Sequence, residues 1–390
     1  MAIPLLFLIA DTGGGHRAGA TAVARRLELD CPGEFDVHIV DPTVDPTAVA
    51  SPTLLSRTAD LYSPLIHHAR WVWAALYHVT NSAPAVAVIR ASALRSLGSA
   101  LRQLLASLRP AAVVSFHPLL NHVSAAVVRE DGVSRVPVIT VITDLVDVHA
   151  GWACRDVDAV VIPSPGGLDR CRRAGIPAAR CHQLGLPVDS AFARPFPDDA
   201  ERSALRRRLG LDEDRFTVLV CGGADGSGSL PGRARAIAGS GLPIGLAVIC
   251  GRNRRARTRL AGLRAAGGRP VPVMGFVDNM AEWMRAADLV VTKAGPGTIS
   301  EALCSGLPML LTWYIPGQER GNLEWVVDIG AGRYVPGARE LVDALAELSL
   351  PGSPGLAAMR SAVAEVARPD ATRRIAALIA DMARTAPVQW

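Results

Sequence analysis

Short apolar runs alternate along the chain with longer stretches whose apolar positions follow a helical spacing. Most of the runs are continuously apolar, which is typical of parallel strands covered on both faces. The pattern predicts a βαβ series and therefore an α/β fold. In the first half the predicted strands are Leu5–Ala10, Phe35–Val40, Ala111–Phe116, Val138–Thr143 and Ala159–Ile162, and the predicted helices include Ala18–Leu29 and Ala91–Leu108.

A second βαβ series begins near residue 215, after a stretch at 186–198 that is rich in proline and predicts an interdomain linker. Its predicted strands are Thr217–Cys221, Leu246–Ile249, Val271–Met274, Leu289–Thr292 and Met309–Leu311. We therefore expect one Rossmann-like domain at 1–190 and a second Rossmann-like domain at 200–368. The amphipathic segment 369–390, with a helix at about Asp370–Arg384, is suited to pack back on the first domain.

Two open α/β sheets facing each other imply a cleft, and such sheets bind ligands at the C-terminal ends of their strands. The 390 residues are 49% hydrophobic, which is ample for two cores, and the net charge is +5. That charge is too mild for a nucleic-acid-binding protein but suits contact with anionic lipid headgroups. We expect no nucleic-acid partner.

Arginine supplies every position of the lysine and arginine type except Lys293, a bias that indicates a GC-rich genome. We expect a bacterial source. Seven scattered cysteines without a CxxC motif predict reduced thiols rather than a disulfide frame or a zinc site. No apolar stretch reaches the roughly 20 residues that span a bilayer, and Ile3–Ala10 predicts a buried first strand. We therefore expect a cytoplasmic protein that is peripheral on the inner face of the membrane.

A glycine loop, Asp11-Thr12-Gly13-Gly14-Gly15-His16, follows the first predicted strand and precedes a helix. The N–H groups of Gly14 and Gly15 would face a ligand at the positive end of that helix. The loop lacks the lysine of a P-loop and the spacing of a dinucleotide fingerprint, and a tight turn is the alternative. His16 has a side chain suited to general-base work, although a lone histidine is more often structural.

A second glycine loop follows the first strand of the second series and runs from Gly222 to Gly228. Its glycines, Gly222 and Gly223 among them, would allow a diphosphate to approach the backbone closely, and Asp225 lies between them. A flexible turn is again the alternative. Two such loops, each after the first strand of its domain, are less expected by chance than either alone.

The segment after the predicted strand Leu289–Thr292 is the richest in candidate chemistry. Gly295-Pro296-Gly297-Thr298 opens a helix predicted from about Ile299, and it would offer N–H groups and a hydroxyl to a phosphate. Glu301, expected in the first helical turn, would accept hydrogen bonds from ribose hydroxyls. Further on, Gln318, Glu319 and Asn322 cluster polar groups suited to the hydroxyls of a sugar, with surface polarity as the alternative.

At these positions the sequence resembles the family of monogalactosyldiacylglycerol synthases and processive diacylglycerol glucosyltransferases. That family is related to the peptidoglycan N-acetylglucosaminyltransferase and has the GT-B fold. The similarity spans residues 7 to about 330, and its most specific strings lie at 293–302 and 315–322. The matching strings are Asp11–Ala18, Phe116–Leu119, Thr140–Asp144, Gly275–Val277, Glu282–Met284, Lys293–Ala302 and Ile315–Asn322.

The resemblance implies a UDP-sugar donor, an inverting transfer and no metal or other cofactor. It implies that Gly222–Gly226 and Gly297-Thr298 hold the diphosphate, and that the main chain of Phe276 and Val277 pairs with uracil. It also implies ribose binding by Glu301 and sugar binding by Gln318 and Glu319. The family commonly has Gly-Gly-Gly-Glu-Gly at the second loop, where this chain has Ala224 and the shorter Asp225.

Inverting transfer needs a base for the acceptor hydroxyl and a means of neutralising the leaving UDP. The sequence has no DxD motif in a plausible metal site. Preorganised backbone N–H donors would therefore neutralise the leaving UDP, each typically worth ~10²–10³ in rate. The candidate bases are His16, Asp144 and His117, each of which follows a predicted strand.

The acceptor is expected to be a lipid such as diacylglycerol, mainly because of the family resemblance. The segment 61–78 concentrates tryptophan and tyrosine with little charge and suits a membrane interface, while a core helix is an equal alternative. The basic runs at 206–208 and 252–259 would attract anionic lipids, although a solvated helix face is the more common explanation.

Three other functions remain open from the sequence. A UDP-sugar 2-epimerase shares the fold, a non-catalytic nucleotide-sugar-binding module would lack turnover, and a glycosyltransferase could act on a polyprenyl, carotenoid or natural-product acceptor. The sequence does not separate UDP-galactose, UDP-glucose and UDP-N-acetylglucosamine as donors.

Overall fold

The computed structural model describes residues 2–10, 14–43, 69–130, 136–194 and 197–386. The chain divides into two compact units. The N-terminal unit comprises Met1–Ser190, Pro316–Gln318 and Asp370–Trp390, and the C-terminal unit comprises Ala191–Ile315 and Glu319–Pro369.

The described part of the N-terminal unit is built on a six-stranded sheet in the order β2-β1-β3-β4-β5-β6. Every neighbouring pair in this sheet is parallel. Its strands are β1 (Ile3–Leu8), β2 (Phe35–Val40), β3 (Ala112–Ser115), β4 (Val138–Val141), β5 (Ala159–Ile162) and β6 (Cys181–Gln183).

Helices cover both faces of this sheet, which explains the continuously apolar strands. Leu5 and Phe7 of β1 pack on one face and Leu6 and Leu8 on the other. The helices are α1 (Gly15–Asp30), α2 (Arg70–Thr80), α3 (Ala83–Leu108), α4 (Leu120–Glu130), α5 (Pro165–Arg173) and the C-terminal α14 (Ala371–Thr385). Helix α14 packs beside α1 through Ile375 and Ile379.

The described part of the C-terminal unit has a second six-stranded parallel sheet in the order β11-β8-β7-β12-β13-β14. Its strands are β7 (Thr217–Cys221), β8 (Gly245–Ile249), β11 (Val273–Met274), β12 (Leu289–Lys293), β13 (Met309–Trp313) and β14 (Gly332–Tyr334), and a short antiparallel pair is formed by β9 (Arg264–Ala265) and β10 (Arg269–Pro270). Its helices are α6 (Asp199–Arg208), α7 (Leu230–Ala238), α8 (Arg254–Leu260), α9 (Met280–Ala286), α10 (Pro296–Cys304), α11 (Arg320–Asp328), α12 (Ala338–Leu348) and α13 (Pro354–Val366).

The two predicted strand series are present, with ends that shift by a few residues. The edge strands β6 and β14 were not predicted from the sequence. Each has only three residues and lacks a continuous apolar run, so its pairing is decided by the neighbouring strand rather than by its own pattern.

One basic run has a structural role that the charge pattern did not reveal. Arg206 is buried, and its guanidinium pairs with the Asp288 carboxylate at 2.7 Å and donates to the Ala286 carbonyl. Arg202 and Arg360 pair with the same carboxylate. The arginine at 206 therefore anchors α6 inside the C-terminal unit and is not available to a lipid headgroup.

No single helix in the described residues is long and apolar enough to cross a bilayer, whereas the bent pair Trp71–Thr80 and Ala83–Leu108 passes that test by length and composition.

Candidate functional sites in the two units

Three strand ends in the N-terminal unit bring the candidate bases together. Strands β1, β3 and β4 are neighbours, and their C-terminal ends lead to His16, His117 and Asp144. The His16 and His117 rings are 5.1 Å apart in an edge-to-face arrangement. The sequence predicted all three positions, and the parallel topology supplies the reason that they meet.

His16 is oriented by the residue that precedes Asp144. Its Nδ1 lies 2.7 Å from the Thr143 hydroxyl, and its ring stands 6.0 Å from that of Trp152. Helix α1 begins after Gly14, which has a φ of 83° and so occupies the left-handed region that favours glycine. Asp11–Gly13, the first part of the predicted loop, lie outside the described residues.

Asp144 is half-buried and accepts a hydrogen bond from the indole of Trp152 at 2.8 Å. Trp152 is fully buried, so this bond fixes the carboxylate against the core. The indole that binds Asp144 also stands 6.0 Å from the His16 ring, and the bond gives the carboxylate at least one task other than proton transfer.

His117 is held as a neutral ring. Desolvation by its surroundings, followed by the charge of His16, holds its pKa well below the usual value. Its Nδ1 accepts the Leu119 N–H at 3.4 Å, so a neutral ring carries its proton on Nε2 and acts there as a donor.

Helix α2 is tied to the loop that carries Asp144. The Tyr77 hydroxyl donates to the Asp147 carbonyl at 2.8 Å, and the Thr80 hydroxyl lies 3.2 Å from His149 Nε2. His149 Nδ1 accepts the Gly151 N–H, and burial lowers the pKa of this histidine to about 4. A neutral His149 therefore links α2 to the loop at neutral pH.

The other face of α2 is apolar and exposed. Trp71 is 69% exposed and Val79 70%, and Val72 and Leu76 are exposed on the same side of the helix. The remainder of the aromatic segment predicted for a membrane interface, residues 61–68, lies outside the described residues.

In the C-terminal unit the second glycine loop folds tightly between β7 and α7. A Cβ added at Gly222 would lie 2.3 Å from the Ser227 carbonyl oxygen, and one at Gly226 would lie 2.0 Å from the Cys250 carbonyl oxygen. Gly223 and Gly226 have φ values of 70° and 58°. Close backbone approach and left-handed φ both require glycine here, so the loop has a defined shape and is not merely flexible.

Asp225, which stands where the family commonly has glutamate, lies at the surface next to Arg252, with 3.8 Å between their charged atoms. The Arg252 guanidinium also lies over the Phe276 ring, 5.4 Å from its centroid. Phe276 is 56% exposed, and Val277 beside it is half-buried. Asp225 therefore lies next to an arginine that also contacts Phe276, part of the segment predicted to pair with uracil.

Helix α10 begins earlier than the sequence pattern predicts. It starts at Pro296, after Gly295, and no side chain caps it. Proline suits the first helical position because its φ is already helical and its missing N–H would be unpaired there. The N–H groups of Gly297 and Thr298 thus lie in the uncapped first turn, and Glu301 lies in the second turn rather than the first.

Lys293, which was not among the predicted site residues, lies between the glycine loop after β7 and the turn before α10. Lys293 ends β12, where the register with β13 shifts, and its ammonium pairs with the Glu319 carboxylate. Glu319 is buried, and its second oxygen accepts the Ile315 N–H at 2.9 Å. The sequence offered two signals: the chain contains a single lysine, and that lysine opens the family-matching string Lys293–Ala302.

The two other residues predicted to bind the sugar differ in their surroundings. Asn322 is buried and donates from its side-chain amide to the Ala294 carbonyl at 3.1 Å, which supports the turn before α10. Gln318 is half-buried. In the described residues, no three histidine, cysteine, aspartate or glutamate side chains are grouped as ligands for a metal ion.

Comparisons with known protein families match both units. Residues 16–188 match the model of monogalactosyldiacylglycerol (MGDG) synthase, and residues 217–375 match the glycosyltransferase family 28 C-terminal domain. The first match begins at His16 and includes the other candidate bases. The second includes the glycine loop, Lys293, α10 and Glu319.

Solved structures with the same fold include MurG of Acinetobacter baumannii, with a TM-score of 0.61 and 18% identity over 97% of this chain and 99% of that one. Phytolacca americana UGT2, complexed with UDP-2fluoro-glucose and pterostilbene, has a TM-score of 0.60 and 12% identity over 98% of this chain and all of that one. These similarities support the GT-B fold.

Two plant proteins are much more similar to this chain in sequence than these solved structures are. Monogalactosyldiacylglycerol synthase 1 of Arabidopsis thaliana is 34% identical over 95% of this chain and 69% of its own length. A probable monogalactosyldiacylglycerol synthase of Glycine max is 35% identical over 95% of this chain and 70% of its own length. Both are plant chloroplastic proteins, so they give no support to a bacterial source. The chain therefore belongs to the monogalactosyldiacylglycerol synthase family of GT-B glycosyltransferases.

Proposed function

We propose that this enzyme transfers galactose from UDP-galactose to diacylglycerol, with inversion at the anomeric carbon and without a metal ion. The observation that carries the proposal is the similarity to monogalactosyldiacylglycerol synthases over 95% of the chain. The names of those relatives favour galactose over glucose and diacylglycerol over other acceptors.

The N-terminal unit would activate the acceptor. With Nδ1 donating to the Thr143 hydroxyl oxygen, His16 would take the acceptor proton at Nε2 as the acceptor hydroxyl attacks the anomeric carbon. The carboxylate of Asp144 would stabilise the imidazolium that forms, much as a buried carboxylate supports a catalytic histidine elsewhere. His117, neutral through its lowered pKa, would donate a hydrogen bond from Nε2.

The C-terminal unit would hold the donor. Main-chain N–H groups of the Gly222–Gly226 loop and of the first turn of α10 would contact the diphosphate, where preorganised donors stabilise the charge that develops as UDP leaves. Glu301 would hold the ribose and Gln318 the sugar. The segment Phe276-Val277 would receive the uracil, with Arg252 already against the Phe276 ring.

A lipid acceptor suggests contact with a bilayer surface. The exposed apolar side of α2, with Trp71 and Val79 among its residues, has the composition of a helix that lies in the headgroup plane. Because α2 is bonded to the loop of Asp144 through Tyr77, insertion of this face would bring the candidate bases near the lipid phase. We propose that the enzyme is peripheral to the membrane.

The test is an assay in EDTA with diacylglycerol in mixed micelles and either UDP-galactose, UDP-glucose or UDP-N-acetylglucosamine. We expect UDP release together with a β-linked monogalactosyl lipid from UDP-galactose alone. Glucolipid as the main product would overturn the donor assignment. Interconversion of the donor with no glycolipid would instead support the epimerase, and UDP binding without turnover would support a non-catalytic module.

A further inference from the structure

Lys293 lies against both glycine segments of the C-terminal unit. A Cβ added at Gly295 would lie 2.8 Å from Lys293 Nζ, and one added at Gly223 would lie 3.6 Å from Lys293 Cε. Gly295 therefore leaves room for the ammonium group, and Gly223 lies within ordinary contact distance of the same side chain. The lysine stands where the loop after β7 and the turn before α10 approach each other, which are the two segments assigned to the diphosphate.

The backbone directs the lysine to this position. Along β12, Thr292 pairs with Leu311, but Lys293 pairs with Trp313, so one residue of β13 is skipped. Irregularities of this kind change the direction of a side chain at the end of a strand. Trp313 itself lies against Gly228 of the second glycine loop, at 3.6 Å from a Cβ added there.

Glu319 holds the ammonium group and is almost fully enclosed. One of its oxygens accepts from Lys293, the other accepts the Ile315 N–H, and its side chain is 3% exposed. The Lys293 side chain is 15% exposed. A carboxylate with both oxygens engaged and little access to solvent is poorly placed to bind the hydroxyls of a sugar, the role that the resemblance implies.

The ammonium group keeps hydrogen-bonding capacity. It has three N–H donors, and Glu319 is the partner found for it in the described part of the chain. Lysine binds phosphates as a point charge, and a partly desolvated site strengthens that attraction. The carboxylate behind it restricts the side chain to one position, which lowers the entropy lost on binding.

We propose that Lys293 is the side chain that contacts the diphosphate of the donor, and that Glu319 is a positioning residue that acts through Lys293. This inference rests on the proposed function only in taking a UDP-sugar as the ligand. It replaces the expected sugar contact of Glu319 by a contact with Lys293, and it adds a side-chain cation to the backbone N–H groups.

The first test is calorimetry of UDP and of uridine with Lys293→Met, which removes the charge and keeps an unbranched chain. We expect the affinity for UDP to fall at least about tenfold and the affinity for uridine to stay within about twofold. The matched control is Arg255→Met, which removes one positive charge from an exposed position of α8 and should leave both affinities unchanged. Loss of uridine binding in Lys293→Met would indicate a structural role and overturn the proposal.

The second test separates positioning from sugar binding through a double-mutant cycle. We expect Glu319→Gln to weaken UDP and UDP-galactose by the same factor, and to have no further effect in the Lys293→Met background. If Glu319→Gln weakens only UDP-galactose, or if its effect persists in that background, Glu319 does not act through Lys293. Transfer by the unmodified enzyme is measured separately, so the proposed function and this inference fail independently.

Discussion

At the scale of single residues, the proposed transfer depends on histidines whose roles are set by their hydrogen bonds. The Thr143 hydroxyl contacts His16 at Nδ1 and the Leu119 N–H donates to Nδ1 of His117, while desolvation keeps His117 neutral. The two rings are 5.1 Å apart, and a positive charge on His16 lowers the pKa of His117. This division of roles predicts one base and one hydrogen-bond donor.

Replacement of His16 by alanine is expected to lower kcat at least about tenfold, as for loss of a general base. His182→Ala is the matched control, because His182 lies on the edge strand β6 and outside the group of candidate bases. Steady-state kinetics with UDP-galactose and diacylglycerol measures both variants. A near-normal kcat for His16→Ala would transfer the role of base to Asp144.

The low pKa of His149 makes stability depend on pH. Its pKa is about 4 in the folded protein and the usual value is 6.5, so between these values the unfolded state binds more protons. Stability is therefore present above about pH 6.5 and lost as the pH falls towards 4. From pH 7 to pH 5 the loss attributable to this residue is about 2 kcal/mol.

Urea unfolding of the wild-type protein and of His149→Gln at pH 7 and pH 5 measures that loss. The difference in unfolding free energy between the wild-type protein and His149→Gln is expected to be smaller at pH 5 than at pH 7 by about 2 kcal/mol. Other titrating groups cancel in this difference. An advantage that stays constant between the two pH values would show that His149 is not held neutral.

At the scale of secondary-structure elements, the strand-to-helix turns carry the site, and the sequence revealed most of them. Continuous apolar runs located β1 and β7, and the glycines after β7 located the second glycine loop. The start of α10 was misplaced, because Pro296 opens the helix while the apolar spacing becomes visible only from Ile299. The partner of Lys293 was not predictable, since Glu319 is 26 residues away and only the fold joins them.

Gly222→Ala tests the shape of the second glycine loop. The added methyl group would lie 2.3 Å from the Ser227 carbonyl oxygen and would force the loop to move. We expect UDP affinity, measured by calorimetry, to fall at least about tenfold, a cost of about 1.4 kcal/mol. Gly232→Ala in α7 is the control, because a methyl group there meets nothing within 4 Å. Unchanged affinity in Gly222→Ala would remove this loop from the donor site.

Substitutions on the exposed side of α2 test the proposed membrane contact. The double substitution Val72→Glu and Val79→Glu places two charges on this face without altering the bonds of Tyr77. We expect co-sedimentation with liposomes that contain anionic lipid to fall several-fold, while UDP affinity is unchanged. A control substitution, Val327→Glu, changes an exposed valine of α11 and should have no effect on co-sedimentation. Equal binding by all three proteins would exclude α2 as the contact surface.

At the scale of the whole molecule, two parallel α/β sheets divide the expected chemistry. The N-terminal unit gathers the candidate bases, and the C-terminal unit gathers the glycine loop, the uncapped start of α10 and the Lys293–Glu319 pair. The fold class followed from strand periodicity, and the candidate sites were proposed from where the motifs stand relative to strands. The identity of the sugar and of the acceptor did not, because such choices depend on side-chain contacts with a ligand.

The central claim is that the C-terminal unit binds the diphosphate of UDP through its own N–H groups and one ammonium, in the absence of a divalent cation. Titration calorimetry of the full chain with UDP in buffer that contains EDTA measures this directly. We predict saturable one-to-one binding whose affinity does not change when Mg²⁺ replaces EDTA. Absence of binding in EDTA, or binding that appears only with added Mg²⁺, would contradict the account.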